Sequence, residues 1–419
     1  MTRISCIVPT FNRSNFLGEA LQAIVDQANA DDEILVIDDG STDTTRDVVA
    51  AFGPRVRYIH QANAGKAVAL NRALAQTDGE FVLICDDDDI LRPGALEALL
   101  AGFAQSPDAG FVFGRYARFH LVNGQSEYMA PPYWPDLSIG AVTRHILEDA
   151  FVFQNATLVR RSAYQAIGPF SEGLPRSLDY DMFVRLATAF SPCFVDLIVF
   201  DQRNHGGDRG PANALHSASA MVHTWAKWDS VIFRGFYPDF DLGLFKSFYD
   251  CDDPRLLRRV ALLQRAVIMA RHSCWDHALV DMRSALAISE YPLAVFEQEI
   301  CMRALDAKLG LLIAAAPDAI ASLADLRRAS PLGKQLVDAA LTGISWRLRR
   351  SDSAQWRQAF AVIRTIGGFV TAVRLIMPMH RAQPGEVPLR ERSQLAPADY
   401  LSPGTLRATM LPGNIGRVR

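Results

Sequence analysis

Four consecutive aspartates at positions 86–89 follow the apolar run FVLI and are the residues of this chain best suited to chemistry. Adjacent carboxylates repel one another unless a cation lies among them, so an acidic run at a strand end indicates a divalent metal. Side chains of an extended segment alternate between two faces, which places Asp86 and Asp88 on one side and Asp87 and Asp89 on the other. We therefore expect Asp86 and Asp88 to share one ion. The competing interpretation is a solvated acidic turn before a helix that Pro93 opens.

A second acidic pair, Asp38 and Asp39, lies in the segment VIDDGSTD at positions 36–43. The Gly-Ser-Thr-Asp turn that follows the pair can cap the next helix, but capping does not account for the pair itself. A carboxylate at a strand end can accept an N–H of a nucleobase or the hydroxyls of a ribose. The order D-D-G-S-T excludes the D-x-D-x-T turn of aspartyl-phosphate enzymes. The chain also has neither a G-x-G-x-x-G after its first strand nor a Walker lysine motif, so a dinucleotide or phosphate-loop fold is not supported.

Short apolar β-type runs alternate with helical periods in the first part of the chain. The runs are ISCIV, EILVI, VRYIH and FVLI, and a helical segment follows each of them. This alternation predicts βαβ units and a mostly parallel sheet with helices on both faces. Ligands bind such sheets beyond the carboxyl ends of the strands. The polar segments 10–13, 38–43 and 86–89 fall at those ends.

The pattern loosens after residue 110. We predict a hairpin turn at Asn123-Gly124, a strand NATLVRR from Asn155, a helix from Tyr180 and a last strand from Phe194. The sequon-like Asn155-Ala-Thr is expected to be a coincidence inside that strand. Beyond about residue 212, long apolar periods with few β signals predict a helical region, and a Pro/Gly-rich tail follows it. The expected domains are therefore residues 1–211, a smaller mainly α-helical domain at 212–380, and an irregular tail at 381–419.

The composition is ordinary for a soluble globular protein, with 49% hydrophobic and 21% charged residues among 419. Six scattered cysteines without C-x-x-C spacing indicate neither a disulfide framework nor a zinc site. No stretch reaches the roughly 18 apolar residues that span a bilayer. We expect a cytoplasmic protein with no nucleic-acid partner.

The positive charge of the chain is concentrated at its C-terminal end. Residues 341–419 contain 12 Arg, no Lys and 4 acidic residues, whereas the whole chain has a net charge of -3. Within this region, segment 355–376 mixes Arg357, Arg364 and Arg374 with an apolar majority. Two interpretations stay open. The segment lies peripherally on the anionic inner face of a membrane, where lipid-linked acceptors are found, or it packs on its own domain with Arg stems covering apolar surface.

Six sequence blocks, in this order, resemble family 2 glycosyltransferases of the GT-A fold, over about residues 3–205. The blocks are VPTFNR from Val8, VIDDGSTD from Val36, NAGKAVALNRAL from Asn63, GEFVLICDDDD from Gly79, LVRRSAYQAIGPF from Leu158 and LDYDMFVRLA from Leu178. The resemblance implies an α/β domain of the nucleotide-diphospho-sugar transferase type. It also implies inverting, metal-assisted transfer of a sugar, of the hexosyltransferase type, from a nucleotide-diphosphate sugar.

The resemblance also implies roles for single residues. Asp86 and Asp88 match the D-x-D that holds Mg²⁺ or Mn²⁺, and Asp179 matches the catalytic base. A Glu usually precedes that base, but Leu178 stands here, so Asp181 stays as a second candidate. The residues expected to bind the nucleotide sugar are Pro9, Thr10, Asn12, Asp39, Asp86 and His205. Lys66 is added on its own chemistry, because its ammonium could contact a phosphate; the alternative is a solvated lysine in a first helical turn.

The chemistry required by such a transfer agrees with these residue types. A departing diphosphate needs a hard cation with open coordination positions, and an acceptor hydroxyl needs a nearby base. Without a second nucleophile, the configuration should invert. The chain lacks the Q-x-x-R-W block of processive synthases, which favours transfer of a single sugar to a glycan or lipid-linked acceptor, in surface glycan or glycolipid synthesis.

Two other functions remain to be separated from this one. A binding or scaffold protein on the same fold would not show metal-dependent donor binding. A nucleotidyltransferase of similar topology usually carries a G-x-G-T-R type first loop, whereas this chain has PTFNR.

Overall fold

The computed structural model describes residues 3–205, 221–309, 311–348, 353–376, 390–391 and 400–401. These residues form two compact units. The first contains 3–138, 150–205 and 400–401, and the second contains 139–149 together with the described residues between 221 and 391. The predicted boundary at residues 211 and 212 lies outside the described residues, as does most of the tail at 381–419. The three predicted domain ranges therefore stay a prediction.

Ten strands of the described residues form one mixed sheet, in the order β12-β9-β6-β8-β4-β1-β2-β3, with β5 beside β9 and β7 beside β6. A separate pair, β10 and β11, belongs to the second unit. The strands are β1 (Ile4–Thr10), β2 (Glu33–Asp38), β3 (Arg57–His60), β4 (Phe81–Ile84), β5 (Ile90–Leu91), β6 (Phe111–Val122), β7 (Gln125–Tyr128), β8 (Thr157–Arg160), β9 (Pro192–Arg203), β10 (Tyr249–Asp250), β11 (Arg390–Glu391) and β12 (Tyr400–Leu401).

Helices cover the sheet of the first unit and make up most of the second. They are α1 (Ser14–Val25), α2 (Thr45–Ala50), α3 (Lys66–Ala75), α4 (Ala95–Gln105), α5 (Val142–Glu148), α6 (Arg161–Ile167), α7 (Leu178–Ala189), α8 (Met221–Phe236), α9 (Leu242–Lys246), α10 (Pro254–Arg271), α11 (Trp275–Leu286), α12 (Val295–Met302), α13 (Pro317–Ala329), α14 (Pro331–Leu348), α15 (Ser353–Gly367) and α16 (Phe369–Ile376). Among the described helices, none combines the length and the apolar character needed to cross a membrane.

The local patterns explain why these elements form. Strand β1 is buried along its whole length, as expected for a parallel strand covered on both faces. Helix α1 buries Leu17, Leu21 and Ile24, whose spacing of four and three residues defines one helical face. Strands β1 to β4 pair in parallel around this core. The predicted fold class, a mostly parallel sheet followed by a helical region, is confirmed.

Two short elements were not predicted from the sequence, and a third begins later than predicted. Strand β5 has only two residues, too few for a periodic pattern. Helix α5 is buried on every side, including the paired Arg144 and Glu148, so it shows no amphipathic pattern. The predicted strand from Asn155 begins later, at Thr157, because residues 154–156 form a 3₁₀ turn. The expectation that Asn155 lies inside a strand was therefore wrong.

Candidate active site

The carboxyl ends of β1, β2 and β4 meet at one edge of the sheet. Because the register aligns Thr10 with Asp38 and Ile7 with Ile84, the three loops that follow these strands become neighbours. The backbone N–H of Asp39 donates to the carbonyl of Thr10 at 2.9 Å, which extends the pairing into the loops. This edge brings together the three polar segments that the sequence analysis singled out.

Asn12 connects the first loop to the second. It adopts a positive φ of 52°. Its backbone N–H donates to Ser41 Oγ at 2.8 Å, and its side-chain carbonyl accepts from the N–H of Thr42 at 2.8 Å. Pro9 lies just before this loop, beyond Ile7, the last β1 residue that pairs with β4. The ladder between β1 and β4 has ended at this point, so no N–H is required from Pro9 on that side.

Asp39 is buried and connects the second loop to the segment before α3. Its carboxylate accepts from the N–H groups of Ala64 and Gly65 and from Gln61 Nε2, all at 2.8 Å. These hydrogen bonds fix the segment that leads to Lys66, the first residue of α3. Asp39 therefore already has three partners within the protein.

Gly40 makes the close approach of these two segments possible. Its φ is +93°, and a Cβ at this position would lie 2.8 Å from the backbone nitrogen of Asn63. Both the positive φ and the close contact exclude larger residues. Beside it, the buried Asp38 accepts from the N–H of Ser41 at 2.8 Å and from the hydroxyl of Tyr58.

The acidic loop at residues 86–89 is surrounded by cationic groups. Asp86 pairs with the ammonium of Lys66, and Asp88 pairs with the guanidinium of Arg13. His205 Nε2 lies 2.9 Å from the carboxylate of Asp88. Burial alone lowers the pKa of Lys66, but the nearby carboxylates, Asp86 foremost, outweigh this and raise it. The loop thus combines a concentrated negative charge with three partners that can carry positive charge.

The geometry of the loop departs from the predicted alternation of faces. One carboxylate oxygen from each of Asp86, Asp88 and Asp89 lies within 4.8 Å of the others. The segment is a turn rather than an extended strand, and the N–H of Asp89 points to the carbonyl of Asp86 at 3.4 Å. The expectation that Asp89 lies on the face opposite Asp86 and Asp88 was therefore wrong. The three oxygens instead form a compact group that could hold a hard cation.

Asp87 does not belong to that group. It is buried, and this burial raises its pKa to about 7, with a further rise from Asp88 that Arg13 opposes. The carboxyl of Asp87 therefore keeps its proton to a higher pH than an ordinary aspartate does.

Asp179 and Asp181, the two candidates for the base, have different surroundings. Asp179 lies half-buried in the first turn of α7. Burial raises its pKa, although the nearby Lys66 ammonium acts in the opposite direction. Asp181 is buried and accepts from Ser171 Oγ at 2.9 Å and from Arg185 Nη2 at 2.7 Å. Asp181 is thus held in an ion pair on its own helix, whereas Asp179 interacts electrostatically with Lys66 and Asp86.

Among the described residues, Arg13, Asn155 and Arg203 contact the acidic loop and were not predicted as site residues. Arg13 is part of the VPTFNR block at the carboxyl end of β1, and this position was the available signal; in the structure its guanidinium pairs with Asp88. Asn155 binds two residues of the loop through its side chain. Arg203 donates its backbone N–H to Asp89 at 2.9 Å and its Nε–H to the carbonyl of Asp88 at 3.1 Å. No local sequence pattern indicates the roles of Asn155 and Arg203.

Comparison with known proteins shows which relatives and solved structures this chain resembles. The chondroitin synthase of Pasteurella multocida (strain Pm70) is 28% identical over 214 residues, which are 50% of this chain and 21% of that protein. The chain thus spans about a fifth of the length of this relative. Among solved structures, S. aureus TarS 1-349 in complex with UDP-GlcNAc is 18% identical with a TM-score of 0.46, over 83% of this chain and 92% of that chain.

A second solved structure is that of the mannosyltransferase PcManGT from Pyrobaculum calidifontis in complex with GDP-Man and Mn²⁺. It is 19% identical with a TM-score of 0.44, over 81% of this chain and 86% of that chain. The family model of glycosyl transferase family 2 matches residues 5–168, which include the loops after β1, β2 and β4. Over this matched segment the chain is similar to glycosyl transferase family 2.

Proposed function

We propose that this chain is a metal-dependent, inverting glycosyltransferase that moves a single sugar from a nucleotide-diphosphate sugar to the hydroxyl of a glycan or lipid-linked acceptor. The transfer is of the hexosyltransferase type and would serve surface glycan or glycolipid synthesis. The observation that carries the proposal is the set of three carboxylate oxygens within 4.8 Å of one another, at the strand edge where nucleotide ligands bind.

The donor set fits a hard divalent cation. Asp86, Asp88 and Asp89 offer only oxygen ligands, which suit Mg²⁺ or Mn²⁺ rather than softer metals. Asp89 is already bonded to Asn155 and to the N–H of Arg203, so Asp86 and Asp88 are the two carboxylates that we assign to the ion. When bound, the cation would supply positive charge to the departing diphosphate.

The cationic partners of the loop suit a diphosphate as well. We assign Lys66 and His205 to the donor phosphates, because both lie against the carboxylates that would hold the metal. Arg13 contacts Asp88 from the first loop and would add a third positive charge. Together with the metal ion, these groups would offset the repulsion between the acidic loop and an anionic donor.

The nucleotide end of the donor is assigned to the loops after β1 and β2. Pro9, Thr10, Asn12 and Asp39 lie at this edge, beside the acidic loop. A carboxylate offers about four acceptor positions, and three of those on Asp39 are used within the protein. Asp39 would therefore contact the nucleotide through its remaining acceptor position.

Asp179 is the residue that we assign as the base. Its carboxylate interacts with Lys66 and Asp86, whereas Asp181 is engaged by Arg185 and Ser171. A raised pKa makes a carboxylate a stronger proton acceptor, provided that it stays ionised at the working pH. Asp179 would take the proton of the acceptor hydroxyl during attack on the anomeric carbon.

A panel of nucleotide sugars tests this function directly. We expect one class among UDP, GDP and dTDP sugars to raise the melting temperature of the full chain when Mg²⁺ or Mn²⁺ is present, and to be hydrolysed slowly. Excess EDTA should remove both effects, because the acidic loop repels the diphosphate without the cation. A binding or scaffold protein would show no turnover of any donor. Full transfer in EDTA would contradict the metal assignment.

We also propose that helices α15 and α16 contact an anionic membrane surface. Phe369 and Val370 open α16 and are 65% and 79% exposed. Arg364 and Arg374, near this pair in the chain, are exposed too, and segment 353–376 contains no acidic residue. An exposed apolar pair with arginines on both sides matches the chemistry of an anionic lipid surface.

Sedimentation with lipid vesicles tests the membrane contact. The full chain should sediment with vesicles that contain phosphatidylglycerol at low salt and much less at high salt, because the attraction is partly electrostatic. The double change Phe369→Ser and Val370→Ser should abolish sedimentation. Val280→Ser, at a 53% exposed valine on α11, is the matched control and should have no effect. Absence of salt-sensitive sedimentation would leave packing on its own domain as the better interpretation.

A further inference from the structure

Asn155 faces the acidic loop because of the way β8 enters the sheet. Strand β8 runs antiparallel to β4, with Leu83 opposite Leu158. Continuing this register by three residues places Asn155, which precedes β8, opposite Asp86, which follows β4. The 3₁₀ turn at residues 154–156 keeps Asn155 buried, with 4% exposure.

The side chain of Asn155 binds both ends of the four-residue loop. Its Oδ1 accepts from the backbone N–H of Asp86 at 3.1 Å, and its Nδ2 donates to the carboxylate of Asp89. A carboxamide carries a donor and an acceptor on one planar group, which an aspartate or an aliphatic side chain does not. The other oxygen of Asp89 accepts from the N–H of Arg203, so Asp89 is held from two sides.

We propose that Asn155 is a positioning residue that keeps the acidic loop in its metal-binding conformation. The inference rests on the proposed metal site at Asp86 and Asp88. Without the carboxamide, the loop loses the bond to the backbone N–H of its first residue and one of the two bonds that hold the carboxylate of its last. The carboxylates of Asp86 and Asp88 lie between these two bonds, so their separation depends on both. Groups that orient metal ligands in this way typically change metal affinity by about 10- to 100-fold when they are removed.

The neighbouring Gln154 provides a matched control. It lies in the same 3₁₀ turn and is similarly buried, with 5% exposure, but its Nε2 has no hydrogen-bond partner among the described residues. Gln154→Leu therefore removes a buried amide of the same turn without removing a bond to the acidic loop.

The experiment measures Mn²⁺ affinity of the full chain by electron paramagnetic resonance of the free ion. Asn155→Leu and Asn155→Ser should bind Mn²⁺ about 10- to 100-fold more weakly than the unaltered chain, whereas Gln154→Leu should bind it equally well. Asn155→Ser leaves room for a water molecule and replaces the leucine variant in the experiment if that variant does not fold. Circular dichroism and the melting temperature establish that each variant is folded.

Kinetics separate positioning from general destabilisation. If Asn155 positions the loop, its variants should need a higher Mn²⁺ concentration for half-maximal transfer, and kcat should rise towards the wild-type value at saturating Mn²⁺. Folded variants with unchanged Mn²⁺ affinity would overturn the inference about Asn155 and leave the proposed metal site intact. An unaltered chain that binds no Mn²⁺ would overturn the metal site itself, and the inference with it.

Discussion

Asp179→Asn should lower the rate of sugar transfer by about 10²- to 10⁴-fold while the chain still binds its donor and Mn²⁺. The carboxamide is nearly isosteric with the carboxylate but cannot accept a proton from the acceptor hydroxyl. Loss of a helix cap alone, the other role open to a residue in the first turn of α7, would cost about 1 kcal/mol of stability and little rate. Single-turnover kinetics with bound donor, together with a thermal melt, separate the two roles.

The pH dependence of transfer provides a second measurement of the same residue. Burial raises the pKa of Asp179, so this carboxylate is protonated at a higher pH than an ordinary aspartate. Protonated Asp179 cannot act as a base, and transfer should therefore fall as the pH drops through the raised pKa. Asp179→Asn should remove this acidic limb from the residual activity.

Asp181→Asn is the matched control for Asp179→Asn. Both are aspartates of the first turn of α7, but Asp181 is bonded to Arg185 and Ser171. Its replacement should lower the melting temperature, because it leaves the Arg185 guanidinium without its carboxylate. The folded fraction should retain near-normal turnover. If Asp181→Asn loses turnover and Asp179→Asn does not, the role of base moves to Asp181.

Asp88→Ala should abolish metal-dependent transfer without unfolding the first unit. The change removes one of the two carboxylates assigned to the ion and leaves Arg13 and His205 without their shared acceptor. A bound cation supplies several kcal/mol of stabilisation to a departing diphosphate, so its loss reduces turnover to background. Isothermal titration with Mn²⁺ should show no binding, and circular dichroism should show a folded chain.

Asp87→Asn tests whether the loss in Asp88→Ala is specific. Asp87 is adjacent in the chain and buried, and its pKa of about 7 means that it is partly neutral already at physiological pH. Its carboxylate is not part of the group of oxygens from Asp86, Asp88 and Asp89. We expect this variant to keep Mn²⁺ binding and most of its turnover. Equal losses in both variants would indicate that the charge of the loop matters, rather than the ligands at Asp86 and Asp88.

The amino-acid sequence by itself determined the features that depend on neighbouring residues. The alternation of β-type runs and helical periods predicted β1 to β4 and α1 to α4, because each element has its own period of burial. Parallel strands end at a common edge, so the positions of Asp38, Asp39 and Asp86 at the ends of three such strands were enough to predict that they lie close together at the candidate site.

The local conformation of the acidic loop could not be predicted from the sequence. The alternation of an extended chain predicted Asp89 on the face opposite Asp86 and Asp88, but the segment turns instead and the three carboxylates converge. A turn of four aspartates has no periodic pattern that indicates it. Bonds from outside the loop hold it in this form.

Only the tertiary structure decided which distant residues surround the loop. His205 reaches Asp88 across 117 positions of sequence, and Asn155 reaches Asp86 because β8 enters antiparallel beside β4. The different surroundings of Asp179 and Asp181 likewise depend on Lys66 and Ser171, which lie outside α7. The physical reason is the same in each case. Such contacts depend on the order and register of strands in the sheet, and these arise from the packing of the whole unit rather than from any local run of residues.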